Sequence, residues 1–228
     1  MTSANQQADK LAAVDAAAKA WGVSQQGLMA VDISSKLPSL SRFRPFMVMD
    51  PARRRMVVAI ESGGTKLHFG EAPQVQAAER LRARIEALNA LLAGEPFAIP
   101  GGVPPAELAE LCRMSLEAPG GLVGTQQLLA QVDPPDPPAS AGQPPAPPKP
   151  KPIDQWISPS PADGRALFVE HCADPRVEHE GDDWTLSFSF FRPDGGVERW
   201  TVTGRAREVL SARRVDALPA RTFFWPYA

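Results

Sequence analysis

The sequence predicts an α+β protein: two small folded parts, each mixing helix with antiparallel strands, joined by a proline-rich linker. Three observations carry that reading. Residues 133–162 hold 12 of the 25 prolines, and proline fixes φ and removes a backbone donor, so this stretch builds neither helix nor internal strand. Extended polyproline II, at about 3.1 Å per residue, is the expected state of such a spacer. On either side the apolar residues follow a period of 3.6 in some segments and of 2 in others. The expected division is residues 1–132, an α+β domain, residues 133–162, the linker, and residues 163–228, a small hairpin-plus-helix domain.

In chain order, Leu11, Val14, Ala18 and Trp21 recur at spacings of three and four and predict a helix that Gly22 stops. Ser24 is placed to cap a short turn through Met29. From Phe46 the period changes to FMVMD, RMVVAIE and TKLHF, separated by turns at 50–53 and 62–64, which predicts a three-stranded antiparallel meander. Met56–Ile60 is apolar on both faces and is expected to be the central, covered strand. Pro73 suits a first helical position; Val75, Ala78, Leu81, Ile85, Leu88 and Leu92 form one stripe, with Gly94 as the terminal cap. A further helix should carry Leu108, Leu111 and Cys112, and a short one Gln126 to Gln131.

Past the linker, ALFVEHC reads equally as helix or strand, and an acidic loop is expected from Glu170 to Asp183. Trp184, Leu186, Phe188 and Phe190 then alternate with hydroxyl residues. A turn at Arg192-Pro193-Asp194-Gly195-Gly196 and the return run VERWTVT complete a hairpin. Residues 205–214 read as helix with Val209 and Leu210 inward.

Lys and Arg number 24 against 26 Asp and Glu, and each of the three segments is close to neutral. That balance weighs against a phosphate-backbone footprint, leaving nucleic-acid binding through the arginines as the third-ranked function class. The two cysteines, Cys112 and Cys172, exclude a multi-disulfide framework but leave a single bridge open. MTSANQQADK has no apolar core behind a basic start, so no signal peptide is expected, and no window nears the 18 or so apolar residues of a membrane span. The expected location is the cytoplasm.

Among possible sites, AIESGGTKLHFG (residues 59–70) is the sharpest motif. It resembles the first phosphate-binding hairpin of ROK-type sugar kinases. The resemblance implies Gly63, Gly64, Thr65 and Lys66 as phosphate-binding residues, the glycines letting backbone amides approach a nucleotide phosphate. It covers a dozen residues, with no second phosphate loop or catalytic-aspartate segment in the chain, and a tight β-turn is the favoured reading. His171, Cys172, His179 and neighbouring carboxylates are zinc-ligand types, but their spacing favours a solvated acidic loop, and no metal or other cofactor is expected. Pro144, Pro147 and Lys149 match a PxxPxK pattern read here as spacer.

Arg213, Arg214 and Arg221 crowd the C-terminal part, with Phe223, Phe224, Trp225 and Tyr227 behind them. Arginine forks bind carboxylates well and aromatic residues anchor interfaces, so Arg213, Arg214, Arg221, Trp225 and Tyr227 are the candidate partner-binding residues. The bland alternatives are pairing within the chain for the arginines and core closure for the aromatics. No catalytic residue is assigned. The favoured function is a non-catalytic adaptor, chaperone or accessory subunit bridging protein partners; a phosphate- or nucleotide-handling protein is the alternative.

Overall fold

The computed structural model describes residues 2–52, 55–61, 66–70, 77–99, 101–116, 122–123, 167, 170–192 and 194–222. Its helices and two antiparallel sheets make an α+β fold. By compactness the chain forms two units. One comprises Met1–Pro119, Val177–Leu186 and Val202–Ala212; the other comprises Gly120–Arg176, Ser187–Thr201 and Arg213–Ala228. The expected linker, residues 133–162, lies outside the described residues, as do 126–131 and 223–228.

The first unit opens with α1 (Thr2–Trp21). Its end is a Schellman motif: Gly22 sits at φ +65, its N–H reaches Lys19 O at 3.2 Å, and the Val23 N–H reaches Ala18 O at 3.0 Å. Ala13, Val14, Ala16, Ala17 and Trp21 pack on one face of a four-stranded sheet, against Ala30, Phe46, Val48, Met56, Val58 and Ile60. Leu11, expected in that stripe, is 58% exposed. Alanines at 13, 16 and 17 bring helix and sheet close together and displace the apolar stripe away from it.

The sheet runs β1-β2-β3-β4: β1 (Met29–Asp32), β2 (Phe43–Met49), β3 (Arg55–Glu61) and β4 (Lys66–Gly70), all neighbours antiparallel. The meander expected from Phe46 onward is present, and β3 is internal, with every residue from Met56 to Ile60 buried. The expected turn through Met29 is instead edge strand β1, a run too short to show a period. A 3-10 turn (Ser34–Lys36) follows it.

Helices α2 (Ala77–Gly94) and α3 (Pro105–Leu116) bury Leu88, Leu91, Leu92, Leu108, Leu111 and Met114. Gly94 has no positive φ, so it is not a left-handed cap. A Cβ there would stand 2.7 Å from Phe43 Cε2, and the glycine serves close approach of helix to strand. The segment entering β2 is held by two buried carboxylates. Glu95 accepts the N–H groups of Ser41, Arg42 and Phe43 (2.8, 3.0 and 3.0 Å) and the Ser41 hydroxyl (3.0 Å). Glu107 accepts the Ser39 N–H at 2.6 Å and its hydroxyl at 2.7 Å. Charge-assisted bonds to consecutive amides satisfy donors that an irregular segment leaves without a ladder.

The second sheet contains β5 (Leu122–Val123), β6 (Arg176–Glu180), β7 (Asp183–Phe191), β8 (Val197–Arg205) and β9 (Glu208–Leu218), in the order β5-β7-β8-β9 with β6 also on β7. Two expectations are corrected here. The acidic loop is strand β6, turned back by Gly181 at φ +61. The helix expected over 205–214 is a turn and strand β9, with Val209 buried but Leu210 55% exposed. Strand pairing with β8 outweighs the modest helical propensity of EVLSARR.

The β7–β8 turn closes with Arg192 N–H to Gly196 O at 2.9 Å, Gly195 at φ +80, and the Asp194 carboxylate accepting the Gly196 N–H. That register sets Phe188 opposite Trp200, whose rings stack 9° from parallel at 6.1 Å. It also sets Trp184 opposite Gly204, where a Cβ would stand 2.1 Å from the indole. At the β8–β9 turn Ala206 takes φ +48, a conformation costing a non-glycine residue about 1–2 kcal/mol. Both its polar groups are engaged: its N–H reaches Asp182 O at 2.7 Å, and its carbonyl accepts the Trp184 indole N–H at 2.9 Å.

Candidate partner-binding surfaces

Sequence-predicted site residues fall in three places. Gly63, Gly64 and Thr65 lie outside the described residues, and Lys66 opens β4 with its backbone opposite Ile60. Arg213 and Arg214 lie on β9, and Arg221 follows it in a left-handed conformation (φ +63), its N–H bonded to Asp194 O at 2.7 Å. Trp225 and Tyr227 lie outside the described residues.

Strand β9 ends the sheet: among the described residues it pairs with β8 alone. Its first outward group is covered. The Asn89 side-chain amide accepts the Val209 N–H at 2.7 Å and donates to Val209 O at 3.0 Å, imitating a neighbouring strand for one residue. Arg207 donates to the carbonyls of Glu95 and Pro96, at 3.1 and 3.4 Å, just beyond the end of α2.

A turn at Ala206-Arg207 leads from β8 into β9, and the Thr203 hydroxyl meets Ser211 at 2.7 Å. Arg214 lies over the Trp200 ring, with the guanidinium carbon 6.0 Å from the centroid. Asp216 accepts a hydrogen bond from Arg192 at 2.9 Å. Both arginines converge on Glu198, whose buried side chain lies 3.4 Å from Arg192 and 3.5 Å from Arg214 and accepts the Trp200 indole N–H at 2.9 Å. Arg214 thus pairs within the chain while half its side chain stays exposed. Arg205 likewise pairs with Asp183, which holds that carboxyl below the usual range. Residues 213–216 are all exposed.

A second surface was not foreseen. On β1, Ala30 faces α1, so Met29 and Val31 point to the opposite side, 62% and 48% exposed. Register places Met49 opposite Met29 and Met47 opposite Val31, and both are only half-buried. Arg55 stands opposite Met49 on the next strand. The result is an apolar, methionine-rich row on β1 and β2, where β1 is an edge strand among the described residues. Asp32 ends it: burial pushes its carboxyl up, but hydrogen bonds from Ser34 and Gln6 and the charge of Arg44 outweigh this and hold it below the usual range.

His171 and Glu170 are helical and His179 lies on β6; among the described residues no three His, Cys, Asp or Glu side chains gather around one point. Cys112 and Cys172 are both free and buried, and burial pushes each thiol up to about 12, the charge of Arg199 partly offsetting this at Cys172. Among the described residues no helix is long and apolar enough to cross a membrane. No protein-family model, curated protein or solved structure matches this chain.

Proposed function

We propose that the chain is a non-catalytic adaptor or accessory subunit that docks a protein partner on the row Met29, Val31, Met47 and Met49. The exposure of that row, on a strand that is an edge among the described residues, carries the reading. Methionine adapts its shape to varied apolar surfaces and recurs at promiscuous binding sites, and contiguous exposed apolar groups mark interaction surfaces.

The test is co-purification of tagged full-length protein from its native cells, with bound proteins identified by mass spectrometry. A stoichiometric partner should be retained by wild type and by Leu11→Lys on α1, and lost from Met29→Lys/Val31→Lys with the melting curve unchanged. A partner that survives the double substitution, or the absence of any partner from wild type, refutes the reading.

A further inference from the structure

We propose that Met29, Met47 and Met49 form a thioether site for a soft monovalent cation, Cu(I), on the face of β1 and β2 that turns away from α1. The site shares residues with the docking row above but does not depend on a partner binding there.

Register brings the three side chains together. Met29 is paired with Met49, and Val31 with Met47. One step further in the same register, Ile33 donates its N–H to the Pro45 carbonyl at 3.0 Å. Ile33–Pro45 is therefore a hydrogen-bonded pair, and by alternation so is Met29–Met49, with Cα atoms about 5.5 Å apart. Met47 and Met49, two positions apart on one strand, have Cα atoms about 6.8 Å apart. Met29 and Met47 are diagonal neighbours at about 7–8 Å. Ala30 and Val48, the residues between, pack against α1, so the period of 2 sends all three methionines to the other face. A point above this triangle lies about 4–5 Å from each Cα, within reach of a sulfur carried on an unbranched, freely rotating side chain.

Exposure separates these methionines from the rest. Met56 and Met114 are 3% and 1% exposed and fill the core. Met29 is 62% exposed, and Met47 and Met49 are half-buried, so their sulfurs are open to an ion from solvent.

Donor chemistry selects the ion. A thioether is neutral and polarisable, has no proton to lose and accepts hydrogen bonds weakly. Such sulfurs favour Cu(I), whereas magnesium, calcium and manganese take carboxylate, carbonyl and water oxygens. Three neutral ligands leave the charge of a dication uncompensated. Arg55, opposite Met49 on β3, adds a positive charge beside the row, which repels a dication twice as strongly as a monocation.

The experiment labels the full chain with methyl-13C methionine and follows its six methionines by NMR during anaerobic titration with Cu(I), and separately with Ag(I) and Zn(II). Single Met→Leu substitutions assign the signals, and circular dichroism verifies folding. The methyls of Met29, Met47 and Met49 should shift together and saturate at the same added Cu(I) or Ag(I), while those of Met56 and Met114 stay in place. Zn(II) should move none of them. Cys112 and Cys172 are buried thiols, and metal drawn by them delays the methionine shifts without changing which signals move. Met29→Leu removes one sulfur from an exposed position and should weaken binding by about tenfold or more. Fewer than three of these signals moving together, an equal response to Zn(II), or undiminished binding by Met29→Leu overturns the proposal. Should Met29→Leu fail to fold, Met49→Leu decides in its place. Leucine keeps the row apolar, so partner retention by Met29→Leu tests the docking role independently of the metal.

Discussion

The sheet of β1 to β4 and the sheet of β5 to β9 build their cores from different material. The first spreads its burial over many small and aliphatic groups: alanines of α1, leucines of α2 and α3, and the run Met56–Ile60 between them. Its irregular segment is satisfied by carboxylates reaching from helix ends. The second concentrates burial in a few large rings, Trp184, Phe188, Phe190 and Trp200, and both indoles also donate a hydrogen bond. Trp184 fills the space above Gly204 and clamps the strained Ala206 turn at the same time. Burial shared among many residues tolerates a single loss; burial combined with turn geometry in one ring does not.

That contrast can be broken by substitution. Trp184→Ala should show the largest effect, about 4–5 kcal/mol in a urea melt, because ring, cavity and turn clamp vanish together. Leu88→Ala, fully buried in the helical layer, should cost less, about 2–3 kcal/mol. Equal losses would erase the distinction between the two cores.

The thiols sharpen it. With a pKa of about 12 for Cys112 and Cys172, against about 8.5 in the unfolded chain, each native thiol keeps its proton where the unfolded one loses it. Their contribution is therefore fully present below about pH 8.5 and is lost as pH rises toward 12, by up to about 1.4 kcal/mol per pH unit per thiol. Cys112→Ala should flatten that alkaline decline. An aromatic disulfide reagent at pH 8 should modify Cys172, 8% exposed, before Cys112, which is fully covered. Simultaneous fast modification of both would show that the native state does not protect them.

The smallest expected effects are a gain and a null. Ala206→Gly should stabilise by up to about 1 kcal/mol, relieving a left-handed alanine. Arg82→Ala, exposed on α2, should stay within about 0.5 kcal/mol. A destabilised Ala206→Gly variant would mean that the turn draws more from chain stiffness than it loses to strain.

What could be read from sequence was local. β3 was legible because both its faces are apolar, and the β7–β8 hairpin because Pro193-Asp194-Gly195 fits one turn geometry. β9 was misread because its run EVLSARRVDAL carries no period-2 alternation of apolar residues, and only Val209 and Leu218 are buried. β1 is four residues long and shows no period. Glu95 looked like a residue after a helix; the amides that explain it lie 52 to 54 positions earlier. Arg213 and Arg214 were visible as charges, but their place on a sheet edge depends on pairing that composition does not encode.

The Asn89–Val209 bond also bears on how the protein is made. Its partners are 120 residues apart, and the first compact unit takes strand segments from 177–186 and 202–212. At about 5–20 residues per second, a ribosome needs roughly 6–24 s to deliver Val209 after Asn89. For that interval α2 has emerged without the strand it is built to receive, so completion of this unit waits on nearly the whole chain, and release of a nascent chain before residue 209 would yield a unit without its final strands.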